Sequence, residues 1–405
     1  MSFSLKKLGR YDYATYLTYI AYSSCSVIVP VVLVEIAHTL QFPLESGGQG
    51  AGGALQIGRS LFMVLAMVMC GFIAGRWGKR ISTGVSVLVM GAGIGIAAIA
   101  PGYGVIFLAL AVAGLGEGVI EGLCTPILQD LHEKDEPSRY INFGHGFWSI
   151  GIVAMTLIVG FLLQQHINWR YILAGVAFIS LLPALMFLLP EKKNVFKVEK
   201  IDFKTTLSHA VTILKSGRFW IFFVLMFLGG GAEFGLTFWA SSFLRITLNA
   251  TPFQGAMATL IFSIGMIIGR LGSAALIPQR KLFHMLFITS GSGIVLGILL
   301  SLAPSLWLCY LLFLLLGLSC STLWPSTQSY CTDRMPFLDS TVVYIILSCA
   351  GTPGCGILTW LLGTFGDNFG LRISILLVPL CLILFAALLL FERFRWRLPE
   401  NSDPC

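Results

Sequence analysis

Residues 71–80 read GFIAGRWGKR. Three cations, Arg76, Lys79 and Arg80, occupy a short turn between two long apolar runs, 51–75 and 82–100. Each run has about the 20 residues that an α-helix needs to cross a bilayer. Lipid offers no partner to a backbone N–H or C=O, so a run of that kind has to close its own hydrogen bonds as a helix. The stretch reads as a tight basic connection between two membrane helices.

Outward from this turn the pattern repeats. Apolar windows fall at 13–36, 51–75, 82–100, 104–128, 141–164, 170–190, 218–245, 254–277, 283–302, 306–329, 340–364 and 371–391, which gives twelve expected spans. The whole chain of 405 residues is 56% hydrophobic and only 11% charged, against about 25% charged in a soluble domain. Its 44 glycines suit helices that pack closely through small side chains. The reading is an all-α membrane protein. Alternate connections collect most of the 26 Lys and Arg. They are the N-terminus, 76–80, 132–139, 191–217, 279–281, Arg334 and the tail, and all fall on one side of a twelve-span arrangement. Basic loops stay in the cytoplasm, so both termini are expected there, in the plasma (inner) membrane. The +7 formal charge follows from this asymmetry and implies no nucleic-acid partner. Lys6, Lys7 and Arg10 lead directly into the first span, so no cleavable signal peptide is expected.

The one long polar connection, EKKNVFKVEKIDFKTTLSHAVTILKSG at 191–217, divides the chain into equal parts. The expected organisation is a six-helix bundle over 1–190, a cytoplasmic linker over 191–217, a second six-helix bundle over 218–392, and a tail over 393–405. Two pseudo-symmetric bundles indicate a secondary transporter with its site at the bundle interface near the midplane. GLGEGVIEGLCTP in span four is echoed by GLSCSTLWP in span ten. The ten cysteines show no CxxC pair and no metal-ligand spacing, so neither a disulfide framework nor a metal site is expected. No Walker motif occurs, and neither ATP-driven transport nor enzymatic activity is expected. Asn249-Ala-Thr251 is a glycosylation sequon that has meaning only in a eukaryotic secretory context.

GFIAGRWGKR resembles the loop signature of the major facilitator superfamily: Gly, three residues, Asp, a basic residue, any residue, Gly, then two basics. Gly71, Arg76, Gly78, Lys79 and Arg80 match, and Gly75 stands where the family has Asp. The resemblance implies a cytoplasmic charge network that governs conformational switching, here without its Asp. It makes Arg76, Gly78, Lys79 and Arg80 gating candidates. Within that superfamily several stretches resemble the fucose/galactose/glucose:proton symporters and their sodium-coupled glucose relatives. They are GLGEGVIEGLCTP (Glu121 and Pro126), NFGHGFWSIG at 142–151, GGGAEFGLTFW at 229–239 and GLSCSTLWPS in span ten. Those symporters carry an aspartate four residues before a proline in span one, whereas here Ser26 precedes Pro30.

Five charged residues fall well inside spans: Arg59, Glu117, Glu121, Glu233 and Arg270. Ionisable groups at such depth face a bundle interior, pair with one another and mark pathways. Glu117 and Glu121 are one helical turn apart, roughly 6 Å along the axis. Arg59, in a span running the same way, can share the depth of Glu117 and neutralise it. Alternatively, Arg59 meets an anionic substrate as a bidentate donor. Carboxyl groups withdrawn from water hold protons more readily than free ones, which makes Glu121 the first candidate for proton coupling. His145, near the start of span five, is the second member of a possible relay. Glu233, with Trp239 and Trp324 as aromatic faces and Asn142 and Gln56 as polar contacts, makes up the expected substrate site. Arg270 is read as a gating element.

The sequence thus indicates a transporter of a small polar solute, first of all a sugar, working as a monomer among membrane lipids. It is expected to need no cofactor, with H+ as the coupling ion and Na+ as the alternative. An exporter of amphipathic or anionic compounds and a non-transporting sensor are the rival readings.

Overall fold

The computed structural model describes residues 8–132, 137–190 and 203–396, without the side chains at 137–139, 142, 203–206, 340 and 341. Residues 133–136 of the basic 132–139 loop, 191–202 of the long connection and the tail beyond 396 fall outside the described residues.

The helices are α1 (Arg10–Thr39), α2 (Gln49–Ala98), α3 (Tyr103–Leu131), α4 (Pro137–Gln164), α5 (Trp169–Ile179) and α6 (Leu181–Leu188). Then come α7 (Phe203–Leu214), α8 (Gly217–Leu248), α9 (Pro252–Leu276), α10 (Leu282–Leu302), α11 (Leu306–Cys320) and α12 (Leu323–Arg334). The chain ends with α13 (Ser340–Phe369), α14 (Leu371–Ser374) and α15 (Leu377–Arg395). No strand occurs among the described residues. Eleven helical stretches are long and apolar enough to cross a membrane, with α5–α6, α11–α12 and α14–α15 each forming one of them.

The twelfth crossing lies within α2. Straight, its 50 residues would extend about 75 Å, more than twice the roughly 30 Å hydrocarbon core. Gly78 interrupts it at φ 79° and ψ 148°, a conformation open to glycine and costly for other residues. The chain reverses there: Ser82 Oγ donates to the carbonyl of Ile73, nine residues back, at 3.3 Å. Packing on α3 gives the directions. Gly114, Gly118 and Gly122 of α3 abut Arg59, Met63 and Cys70, all advancing together, so 49–77 runs parallel to α3. Gly116 abuts Ser86 and Met90, whereas Gly93 abuts Ala109 and Ala113, so 79–98 runs the opposite way.

These contacts put backbone against backbone. A Cβ on Gly114 would lie 2.2 Å from the Arg59 carbonyl oxygen, so Gly114→Val is expected to destabilise the fold by about 1–3 kcal/mol or more. Thermal unfolding in detergent checks this against Gly104→Val, where nothing lies within 4 Å.

The two halves meet along related seams. Contacts between α2 and α13 and between α4 and α9 exchange under the twofold that relates the bundles, and α1 against α8 completes the interface. Along the first seam, a Cβ at Gly53 would meet the Thr359 carbonyl oxygen at 2.6 Å, and one at Gly363 the Gln49 carbonyl oxygen at 2.2 Å. Gly160 of α4 faces Ala256 and Phe253 of α9. These close approaches lie toward the end of the molecule opposite the termini.

At the end bearing the termini, the described polar contacts stay within each half. Lys79 Nζ bonds Asp130 Oδ2 at 2.8 Å. Arg80 donates to the carbonyls of Phe187 (2.9 Å) and Leu189 (3.1 Å). Asp12 and His132, both buried, pair at 2.6 Å. In the second half Glu392 accepts from Arg218 Nε (2.9 Å), Arg334 Nε (3.0 Å) and the Tyr330 hydroxyl (3.0 Å). The segment expected to be a linker contains α7, whose His209 approaches Asp339, the N-cap of α13, at 3.8 Å.

Candidate functional site

The intramembrane charges sort into two ion pairs and one carboxyl without a cation. Arg59 and Glu117 share a depth because their helices run in parallel. Arg59 Nε donates to Glu117 Oε2 at 2.8 Å, and its Nη2 bonds the other carboxylate oxygen and the Cys25 carbonyl of α1, the latter at 2.8 Å. Both residues are almost sealed from solvent, at 2% and 1% exposure. A bidentate guanidinium–carboxylate pair is among the strongest polar contacts available to a dry site. It ties α1, α2 and α3 together and engages Nε and Nη2 of Arg59, while Nη1 is buried with no hydrogen-bond partner among the described residues. Gln56, one turn before Ser60, donates to its Oγ at 3.3 Å and is buried.

Glu121 lies one turn beyond Glu117 but is exposed, toward the gap between the halves. The Tyr22 hydroxyl of α1 faces its carboxyl, and among the described residues no cation pairs with it. His145, also exposed, bonds Thr125 rather than Glu121. Its Nε2 lies 3.3 Å from Thr125 Oγ1, which in turn is 3.1 Å from the Tyr19 hydroxyl. The Tyr19 and His145 rings are 4.9 Å apart. One wall of the gap therefore carries Glu121, Tyr22, Thr125, Tyr19 and His145 from three helices.

The facing wall belongs to the second half. Arg270 of α9 donates from Nη2 to Glu233 Oε1 of α8 at 2.9 Å and from Nε to the Ser321 carbonyl at 3.2 Å. Arg270 remains 42% exposed and acts electrostatically on His145 across the gap. Glu233 Oε2 is buried with no hydrogen-bond partner among the described residues. Arg270, expected as a gate, thus joins Glu233 at the site itself.

Trp324 fits between Gly230 and Gly351, where a Cβ at Gly351 would meet its ring at 2.3 Å. It is part-buried, and the Gly230 it abuts precedes Glu233 by about one turn of α8. Trp239 is fully buried and donates its indole N–H to the Thr359 carbonyl at 2.9 Å, so it packs α8 onto α13. The Asn142 side chain lies outside the described residues. Arg76 is exposed at the turn, next to Gly78.

The tyrosines and Thr125 were not among the expected site residues. A signal was present: Tyr19 and Tyr22 lie three residues apart and so are neighbours on the helix surface.

The family model for the Major Facilitator Superfamily matches residues 15–337. No curated protein matches the sequence. Among solved structures, a bacterial homolog of the human lysosomal transporter Spinster, in an inward-facing and occupied conformation, superposes with a TM-score of 0.77 at 15% identity, covering 95% of this chain and 96% of that one. The nucleoside transporter NupG gives 0.77 at 17% identity, with 97% and 100% covered. A D-xylose–proton symporter gives 0.74 at 14% identity, with 97% and 98% covered. Likeness at these identities shows the shared fold.

Proposed function

The chain belongs to the Major Facilitator Superfamily and is a multi-pass secondary transporter; from that premise we propose that it carries a small polar solute, first of all a sugar, coupled to protons. The observation behind this reading is the pair of facing polar walls at mid-depth, one from each half. A hydroxylated solute needs both acceptors and donors within a small space, and Glu121 with Tyr22, Thr125 and His145 supplies them opposite Glu233 and Arg270. Trp324 offers an aromatic face for the apolar side of a ring. Alternating access then exposes the two walls first to one side and then to the other.

Coupling falls to Glu121 because Arg59 holds the charge of Glu117. A carboxyl with a hydroxyl partner and no cation can gain or lose a proton without breaking an ion pair. The Arg270 guanidinium, part-exposed in the gap, favours a second reading in which the solute carries a negative charge. Sodium in place of H+ and export in place of import are further variants of the same carrier. The reading places it as a monomer in the plasma (inner) membrane with both termini in the cytoplasm.

The test is uptake into proteoliposomes of radiolabelled sugars, nucleosides and sugar acids under an imposed pH or sodium gradient. Accumulation of a neutral sugar under the pH gradient alone is the expected result. Glu233→Gln is expected to lower uptake at least tenfold, since it removes the charge that positions Arg270. Accumulation of none of these solutes under either gradient would sink the sugar reading, and movement of acids alone would favour the anionic one.

A further inference from the structure

We propose that Asp367 caps α2 from the opposite bundle, and that this cap, with the Glu35–Arg245 pair, holds the carrier at rest with the face opposite the termini shut. The inference rests on the transporter reading only for its meaning, not for its geometry.

The first N–H groups of any helix lack intrahelical partners and carry the positive end of the helix dipole. Four other helices of the chain are capped locally. Thr251 and Gln254 form a capping box for α9, Asn168 caps α5, Ser305 caps α11 and Asp339 caps α13. Helix α2 has Gly48 at this position and no side-chain cap of its own. Its first two N–H groups, on Gln49 and Gly50, donate instead to Asp367, at 2.7 Å (Oδ1) and 2.8 Å (Oδ2). Asp367 sits in the last turn of α13 in the other half. The approach depends on glycine, because a Cβ at Gly50 would lie 2.8 Å from Asp367 Oδ2. Separating the halves at this end strips α2 of its cap and leaves a carboxylate without donors.

A second clamp spans the α1–α8 contact. Arg245 donates to Glu35 at 2.9 Å, its other terminal nitrogen lies 2.6 Å from the second carboxylate oxygen, and both side chains are largely shielded. At the opposite end, the family pattern would place an Asp at position 75. The residue is Gly75, and a Cβ there would meet nothing within 4 Å. Lys79, Arg80, Asp130, Asp12 and His132 make their described contacts inside one half. Among the described residues, the two polar clamps between the halves both lie on the side opposite the termini.

Pulsed electron–electron resonance in nanodiscs tests this, with spin labels at Ile99 and Trp307. Both are exposed, in different halves, beside the shut face. Wild type is expected to give one short, narrow distance distribution. Asp367→Ala is expected to move the open-to-shut ratio about tenfold toward open, the range typical of a lost cap, and Glu35→Gln is expected to add to it. Unchanged distributions in the double variant would overturn the proposal. Should Asp367→Ala not fold, hydrogen exchange on wild type decides. Amides at 49–60 and 356–367 are expected to be slower than those at 70–77 and 342–349, and equal rates would overturn it. Neither measurement involves solute, so both stand or fall apart from the sugar reading.

Discussion

Glu121→Gln is expected to leave a carrier that exchanges solute but no longer accumulates it. With one proton moved per solute, a pH gradient of one unit is worth about 1.4 kcal/mol, or tenfold in concentration. Wild type should approach that ratio in proteoliposomes, whereas the variant should stop near equal concentrations inside and out. Exchange between equal concentrations should persist, because Gln keeps the shape and an oxygen acceptor facing the Tyr22 hydroxyl while losing the titrating group. Tenfold accumulation surviving in the variant would move coupling away from Glu121. His145 would then be the next residue to test, since it is the other titratable group on that wall.

Removing Glu117 should be the most damaging single change to stability. Glu117→Ala leaves the Arg59 guanidinium buried against one carbonyl, and a guanidinium has no neutral form to retreat to. Losing one partner of a buried pair costs about 3–5 kcal/mol. Arg59→Ala should cost less, because the stranded carboxyl can take up a proton and become neutral. Replacing both together by Met should cost least, since apolar groups of similar volume often substitute for a buried pair without loss. Unfolding followed by circular dichroism in a detergent titration orders the three. Equal losses from the two single variants would contradict the pairing seen at 2.8 Å.

The architecture was legible because length and hydropathy leave lipid few options. Twelve apolar windows and a basic turn at 76–80 suffice for twelve crossings, and Gly78 supplies the reversal inside α2. Depth was legible too: counting residues from span ends put Arg59 beside Glu117. Rotation about each helix axis was not. Glu233 and Arg270 were both singled out, yet nothing in their spacing says that they face each other. The same blindness put His145 against Glu121, when Thr125, one turn further along α3, makes the contact. Asp12 and His132 sit at span edges, where a charge is cheap and attracts no notice. Asp367 was missed for a different reason: an acidic residue in GTFGDNFG reads as a solvated turn until the start of α2 is brought beneath it.

The glycine-lined seam between α2 and α13 also bears on speed. Every transport cycle has to part this surface and re-form it. Interfaces made of long side chains lose rotamer freedom each time they close, up to about 2 kcal/mol for each long side chain. Gly53 and Gly363 have no rotamers to lose. The seam can zip shut in a single register with nothing to reorder, so the frequency of turnover is left to the clamps at its end and to the solute between the walls.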